Sequence, residues 1–320
     1  MSSDISVVVP TYQRPEQIEP LLATFAEQTI RPAEIVIVDG ASPDDSRTEV
    51  IVQQIAAGYP IPIRYIRSER RGTSVQRNVG IENAVHEFVA LIDDDIRIEP
   101  SFFEEILNVF EKDTEFLIGG VAGHRVNLYK PMSDLARWRW YKRLRLFSTY
   151  EPGRYDFLSG YPINQNLHPP FEGTREVDFI TTACAVWRKA VFASGLRFNE
   201  SLKGYAVVED ALFSMQAGRK WKLLQCGSAR CTELNAPGGR VRRRELGYKK
   251  VYNYRFLFVT VVPQRTWRHE LRFWYVQCVL ALQLVLGTLR RRDPSGFAEL
   301  LGRLHGTWDA LRITTPQEGS

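Results

Sequence analysis

The chain has 320 residues, 44% of them hydrophobic and 25% charged. That balance excludes the disordered and fibrous classes and leaves room for one large α/β domain with additions, or for two domains. The net charge of +5 is unevenly spread, because thirteen Lys/Arg stand against only Glu245 and Glu270 between Arg240 and Arg292. A basic C-terminal third of this kind suits an anionic membrane surface, a phosphorylated substrate or nucleic acid, or is simply a solvated basic face.

In chain order, residues 5–10 (ISVVVP) form a β-branched run without a basic leader, which reads as a first strand and not as a signal peptide. Helical spacing follows from Arg14 to Thr29 on Ile18, Leu21, Leu22 and Phe25, with Pro20 awkward outside the first turn. Strands are predicted at 34–39, 63–68, 88–93 and 116–123, with helices over 42–57, 74–84 and 100–110 between them. Continuous apolar strands alternating with helices imply a mostly parallel sheet covered by helices on both faces, with ligands beyond the carboxyl ends of the strands. From Arg125 to Arg175 the pattern breaks into a segment rich in Pro, Tyr, Asn and Arg, and 137–147 (RWRWYKRLRLF) interleaves basic residues with aromatics. A strand and helix return at 176–192, a further helix opens near Glu209 and a strand follows it to 224, and the chain is helical and aromatic from Lys249 onward. The four cysteines form no C-x-x-C pair, which fits free thiols in a reducing compartment.

Two strand ends carry acid. Asp93, Asp94 and Asp95 stand in a row after FVALI, and like charges crowd together at a cost in stability. A D-x-D at a strand end can hold Mn²⁺ or Mg²⁺ against a diphosphate, although the same triplet also reads as a solvated turn. Asp39 closes EIVIVD. It can accept from a nucleobase N–H or a ribose hydroxyl, or it can make an Asx-turn or a helix cap. Arg71 and Arg77 lie between these two ends and either hold base and phosphates or brace the aspartates. Glu209 and Asp210 open a helix, where acids are favoured by the helix dipole alone, and where Asp210 could also serve as a general base.

These pieces resemble glycosyltransferase family 2. The opening SVVVPTYQRPEQIEPLLATFAEQTIRPAEIVIVDGASPDD, then GTSVQRNVGI, ALIDDD and VED, match in order over roughly residues 4–235. The resemblance implies a GT-A (Rossmann-like) fold with a C-terminal helical extension. It implies an inverting transferase that uses a nucleotide-diphosphate sugar, a UDP-sugar by preference, and a divalent cation. Carried over residue by residue, Pro10, Thr11 and Tyr12 line the nucleotide pocket, with Arg14, Arg71 and Asp94 beside them. Asp39 binds the base, with Arg77 close by. Asp93 touches ribose or metal, Asp95 ligates the metal, and Asp210 is the base with Glu209 next to it. Glu233 stands where the family often has a histidine, and is expected as a third metal ligand. Asp39-Gly40 replaces the paired acids, or Asp-Asn, that are common in the family.

The implied organisation is a donor half at 1–123, an acceptor and catalytic half at 124–247 with an insertion at 125–175, and a helical region at 248–320. The acceptor is expected to be a glycolipid or glycan reached from the cytosol, at the inner face of the cell membrane. A sugar nucleotidyltransferase is the nearest alternative, but VVVPTYQRPEQ lacks the Gly-rich loop and lysine usual there. A non-catalytic sugar- or nucleotide-binding module would need no acid at 210. No nucleic-acid-binding module is recognisable. The apolar run at 273–289 is flanked by Trp267, Arg268 and Arg272 and by Arg290–Arg292. It is short for a membrane crossing and reads as an interfacial element, with a second amphipathic helix after it. The same helices could instead pack on the core or form a homodimer contact.

Overall fold

The computed structural model describes residues 4–202, 204, 207–236 and 241–314, so Tyr205, Ala206 and Arg240 lie outside the described residues. In its first part β1 (Ile5–Thr11), α1 (Pro15–Ala26), β2 (Glu34–Asp39), α2 (Arg47–Ala56), β3 (Ile63–Arg67), α3 (Thr73–Asn83) and β4 (Phe88–Ile92) alternate along the chain. Every residue of β1 and β2 is buried, as expected of strands covered on both faces. β3 forms one edge of the sheet and turns Arg64 toward water, while Arg67 pairs with Glu49 at 2.8 Å; charge along the edge protects an otherwise unpaired strand. α1 runs through Pro20, which is exposed. The carbonyl that loses its partner there is therefore left to solvent, while Ile18, Leu21, Leu22 and Phe25 anchor the inner face in the core.

β5 (Ile96–Ile98), α4 (Phe102–Glu111) and β6 (Ile118–Arg125) come next. The segment 125–175 is not free loop: it contains α5 (Ala136–Arg143), a small hairpin of β7 (Tyr155–Asp156) and β8 (Tyr161–Pro162), and leads into β9 (Thr174–Val177). β10 (Cys184–Arg188), α6 (Lys189–Ala193), α7 (Glu209–Ala217) and β11 (Lys222–Glu233) complete the sheet. The order across it is β3-β2-β1-β4-β10-β6-β11-β5, with β9 on β11. β10, β5 and β9 run antiparallel to their neighbours and the other six strands point one way, so the carboxyl ends of β1, β2, β4, β6 and β11 face the same side.

β5 decides the local geometry of the acidic triplet. It pairs antiparallel with the far end of β11, Ile96 opposite Glu233 and Ile98 opposite Cys231. Asp93–Asp95 is thus the turn between two strands, closed by the Ile96 N–H donating to the Asp93 carbonyl at 3.1 Å. Glu233 is brought next to this turn by register, not by sequence proximity.

The C-terminal part is helical: α8 (Arg243–Val261), α9 (Trp267–Arg291) and α10 (Ser295–Ala310). α9 continues past the apolar run at both ends and is, by length and composition alone, long enough to cross a membrane. Its inner face is engaged, however. Val276 packs in a cluster with Trp138, Tyr141, Leu146, Phe147 and Ile163, so the four buried residues of the basic-aromatic segment 137–147 share a core with α9 while its basic residues stay exposed. α8 and α10 approach at a seam of glycines: a Cβ on Gly247 would meet the Glu299 carbonyl oxygen at 2.0 Å, and one on Gly302 the Arg244 carbonyl oxygen at 1.8 Å.

Candidate active site

A cleft of about 1260 Å³ opens at the carboxyl ends of the strands. Eleven of the thirteen residues singled out from the sequence line it, and Asp39 and Asp95 do not. The floor comes from Pro10, Thr11 and Tyr12 at the end of β1. Arg71 stacks on Tyr12, its guanidinium carbon 3.9 Å from the ring centre, and so offers a flat cationic surface at the rim.

The triplet is held by arginine. Asp94 is buried and accepts from Thr11 Oγ1 at 2.8 Å and from Arg14 at 2.8 Å; burial pushes its carboxyl up to about 6 against both contacts. Arg14 also reaches Asp95 at 3.5 Å, and Asp95 accepts from the Ala236 N–H at 3.2 Å. Arg77, 3% exposed, bridges Asp93 at 2.8 Å and Glu209. Burial works against its charge, but the two carboxylates prevail and raise its pKa. Arg77 therefore takes the bracing role of the two open to it, and two guanidiniums serve four carboxylates.

Glu209 and Asp210 sit at the first turn of α7, immediately after Val208 at φ 62°. A β-branched residue in the left-handed region costs on the order of 1–3 kcal/mol, so the start of this helix is held under strain. Glu209 also accepts from Ser74 Oγ at 3.0 Å. Burial, with Asp210 adding to it and Arg77 opposing it, pushes Glu209 up to about 7. Asp210 lines the cleft, ringed by protein, and its Oδ1 accepts from the Ala211 N–H at 2.8 Å. Burial raises its carboxyl as well, the direction that makes a carboxylate a stronger base.

The shift at Glu209 has a measurable consequence. Between the ordinary value of 4.5 and about 7 the native chain holds a proton that the unfolded chain has lost. Its contribution to stability is full below that window and is lost as pH rises through about 7. Melting curves of the wild type and Glu209→Gln should therefore converge or cross as pH goes from about 5 to about 8, the wild type losing ground. A constant difference would place the Glu209 pKa at its ordinary value.

The remaining candidates are placed as follows. Asp39 is fully buried, accepts from the Ala41 N–H at 2.9 Å in an Asx-turn, and accepts from Tyr65 Oη at 3.0 Å. Two of its roughly four lone-pair positions stay open. Glu233 lines the cleft and pairs with Arg125 at 2.6 Å. Arg125, at the end of β6, was not singled out from the sequence, although the strand-end rule that flagged the aspartates applies to it equally. Tyr248 and Tyr252 of α8 also line the cleft, and no local pattern announces them.

A divalent cation fits this chemistry. Burial raises the Asp95 carboxyl and the neighbouring Asp93 raises it further, with Glu233 adding to the same field, and a dication would relieve that repulsion. Among the described residues no three such side chains form a ready cage. Mg²⁺-type sites commonly use one or two carboxylates and complete the shell with phosphate oxygens and water.

The family model for glycosyl transferase family 2 matches residues 6–192. The chain belongs to glycosyl transferase family 2. An uncharacterized glycosyltransferase of Haemophilus influenzae is 33% identical over 110 residues, covering 34% of this chain and 35% of that protein. The minor teichoic acid biosynthesis protein GgaB of Bacillus subtilis is 25% identical over 217 residues, covering 65% of this chain and 20% of GgaB. The chain therefore spans about a third or less of the length of these relatives. Among solved structures, S. aureus TarS residues 1–349 superposes with a TM-score of 0.55 at 17% identity, over 96% of this chain and 81% of that one. The same TarS segment has been solved with UDP and with UDP-GlcNAc. The mannosyltransferase PcManGT of Pyrobaculum calidifontis, in complex with GDP-Man and Mn²⁺, superposes with a TM-score of 0.58 at 15% identity, over 97% and 88%. The family-2 transferase shares their GT-A fold.

Proposed function

We propose that this family-2 enzyme moves one sugar from a nucleotide-diphosphate sugar, with UDP as the carrier, to a hydroxyl of a glycolipid or polysaccharide acceptor, inverting the anomeric centre. The observation that carries this reading is one cleft that holds both the Asp93–Asp94 turn and Asp210. Residues 1–123 then form the donor half, 124–247 the acceptor and catalytic half, and 248–320 the helical extension. Pro10, Thr11 and Tyr12 flank the nucleotide and Arg71 meets its base or phosphates, while Asp39, fully buried and outside the cleft lining, acts through the Asx-turn that shapes the end of β2. Arg77 holds Asp93 and Glu209 in register. Asp210 takes the proton of the acceptor hydroxyl as that oxygen attacks the anomeric carbon from the face opposite the diphosphate. A divalent cation, Mn²⁺ or Mg²⁺, would be held by Asp93 and Asp95 with Glu233 as a third ligand, and supplies positive charge to the leaving diphosphate when bound. UDP as carrier is supported by the TarS complexes, and the acceptor class by the teichoic acid relative. The free cysteines are compatible with a cytosolic setting at the inner face of the cell membrane.

A thermal-shift series with UDP, GDP and dTDP and their sugars, with and without Mn²⁺, tests the donor half of this reading. A ligand at about a hundredfold excess over Kd adds about 2.7 kcal/mol of stability. UDP with Mn²⁺ is expected to raise Tm, and EDTA or Asp95→Ala to abolish the rise. A nucleotide shift that is indifferent to both would remove the metal from Asp95, and no shift with any nucleotide would overturn the donor assignment.

A further inference from the structure

α9 and α10 each hide one face and leave the other open. On α9, Leu271, Tyr275, Leu282, Leu286 and Leu289 are 38–62% exposed and recur every few residues, a stripe about 27 Å long at 1.5 Å per residue. On α10 and its C-cap, Phe297, Leu301, Leu304, Trp308 and Leu311 are 51–63% exposed, at alternating steps of four and three. Contiguous apolar surface on this scale marks a contact site in a soluble protein.

The acids within the two helices turn away from the stripe, while Asp293, in the turn between α9 and α10, is exposed beside Arg290–Arg292 and offsets part of their charge. Glu270 turns inward to Arg255 at 2.7 Å and Arg265 at 3.2 Å, and Glu299 turns inward to Lys250 at 2.7 Å and Arg243 at 3.3 Å. Arg268 at one end of α9, and Arg290, Arg291 and Arg292 at the other, are exposed. α5 extends the same surface with exposed Trp140 and Leu144 beside Arg139, Lys142 and Arg143. It is tied to α9 by Tyr275 Oη donating to the Leu144 carbonyl at 3.2 Å and by a Tyr141–Gln283 hydrogen bond.

We propose that the outer face of the α9–α10 hairpin, with the edge of α5, lies flat on an anionic lipid surface. An apolar stripe with basic residues at both ends complements lipid that is apolar below and negative at the headgroups. A second copy of the chain fits less well. Both ends of α9 are basic, so parallel and antiparallel self-pairing alike set like charges against each other. A crossing helix fits less well too: spanning would strip Phe273, Val276 and Gln277 from the packing that buries them, and Gln283 from Tyr141. The inference stands apart from the transfer reaction, since lipid binding needs neither donor nor acceptor.

Flotation of the full chain tests it, with vesicles of phosphatidylglycerol and phosphatidylcholine against phosphatidylcholine alone. Binding to the anionic vesicles is expected, weakening between about 0.1 M and about 1 M salt as the Debye length falls from about 10 Å to about 3 Å. Leu282→Glu/Leu286→Glu replaces exposed side chains and should keep Tm while lowering binding roughly tenfold or more. Arg290→Glu/Arg291→Glu should act in the same direction. Transfer to a soluble acceptor by these variants should match wild type, which separates a failure here from a failure of the transferase reading. The proposal is overturned by absence from anionic vesicles at low salt, by equal binding to neutral ones, or by binding that both variants leave intact. It is equally overturned by a dimer in light scattering that Leu282→Glu/Leu286→Glu splits.

Discussion

Asp210→Asn should reduce kcat by about 10²–10⁴ while leaving nucleotide-sugar affinity close to wild type. The amide keeps the volume of the carboxylate and can still accept from the Ala211 N–H through its oxygen, so α7 keeps its first turn. What it loses is the capacity to take a proton. The pH profile provides a second readout. Burial raises the Asp210 carboxyl above the ordinary aspartate value of 3.8, so the wild-type rate should fall on acidification at a pH above that value, and the residual rate of the variant should not follow that limb. Single-turnover kinetics with saturating donor separates this loss from weak binding. Near-normal turnover in Asp210→Asn would move the base to Glu209 or to another group.

The second large effect is on stability. Arg77→Met should destabilise the fold by about 3–5 kcal/mol, because it leaves two carboxylates at a buried site without their shared cation. At a few degrees per kcal/mol for a domain of this size, the drop in Tm is on the order of 10 °C. The loss should be larger above about pH 7, where Glu209 would otherwise ionise. Arg77→Met/Glu209→Gln should recover part of it, since replacing both partners of a buried pair costs far less than orphaning one. Denaturant melts of the three proteins decide the matter, and a loss under about 1 kcal/mol would mean that Asp93 and Glu209 stand without Arg77.

Local composition wrote much of this molecule openly. β1, β2 and β4 are legible because strands buried on both faces must be apolar without interruption, and the acids at their ends stand out against that background. β5 is not legible: three residues carry no period, and its existence depends on β11, more than 120 residues away. Glu233 was therefore placed by family resemblance, while the register that brings it to Asp93–Asp95 became visible only in three dimensions. The segment 125–175 read as irregular because its aromatics find partners in α9, over 100 residues later, and such pairing leaves no local signature. Asp39 shows the opposite limit: a strand-end aspartate is conspicuous and an Asx-turn is one of its ordinary roles, but only the fold reveals that the turn is made. Arg77 was open between two roles for the same reason, since its partners come from the end of β4 and the start of α7.

The glycine seam between α8 and α10 bears on how the cleft can open. At Gly247 and Gly302 the two backbones are so close that a single added carbon has nowhere to go. Helices in such contact cannot slide or roll past each other without steric collision, as ordinary side-chain interfaces allow. Tyr248 and Tyr252, which wall the cleft from α8, are therefore fastened to α10 as if to a bracket. Any widening that admits a bulky acceptor must carry α10 with it, and whatever holds the outer surface of α10 still also sets how far that wall can swing.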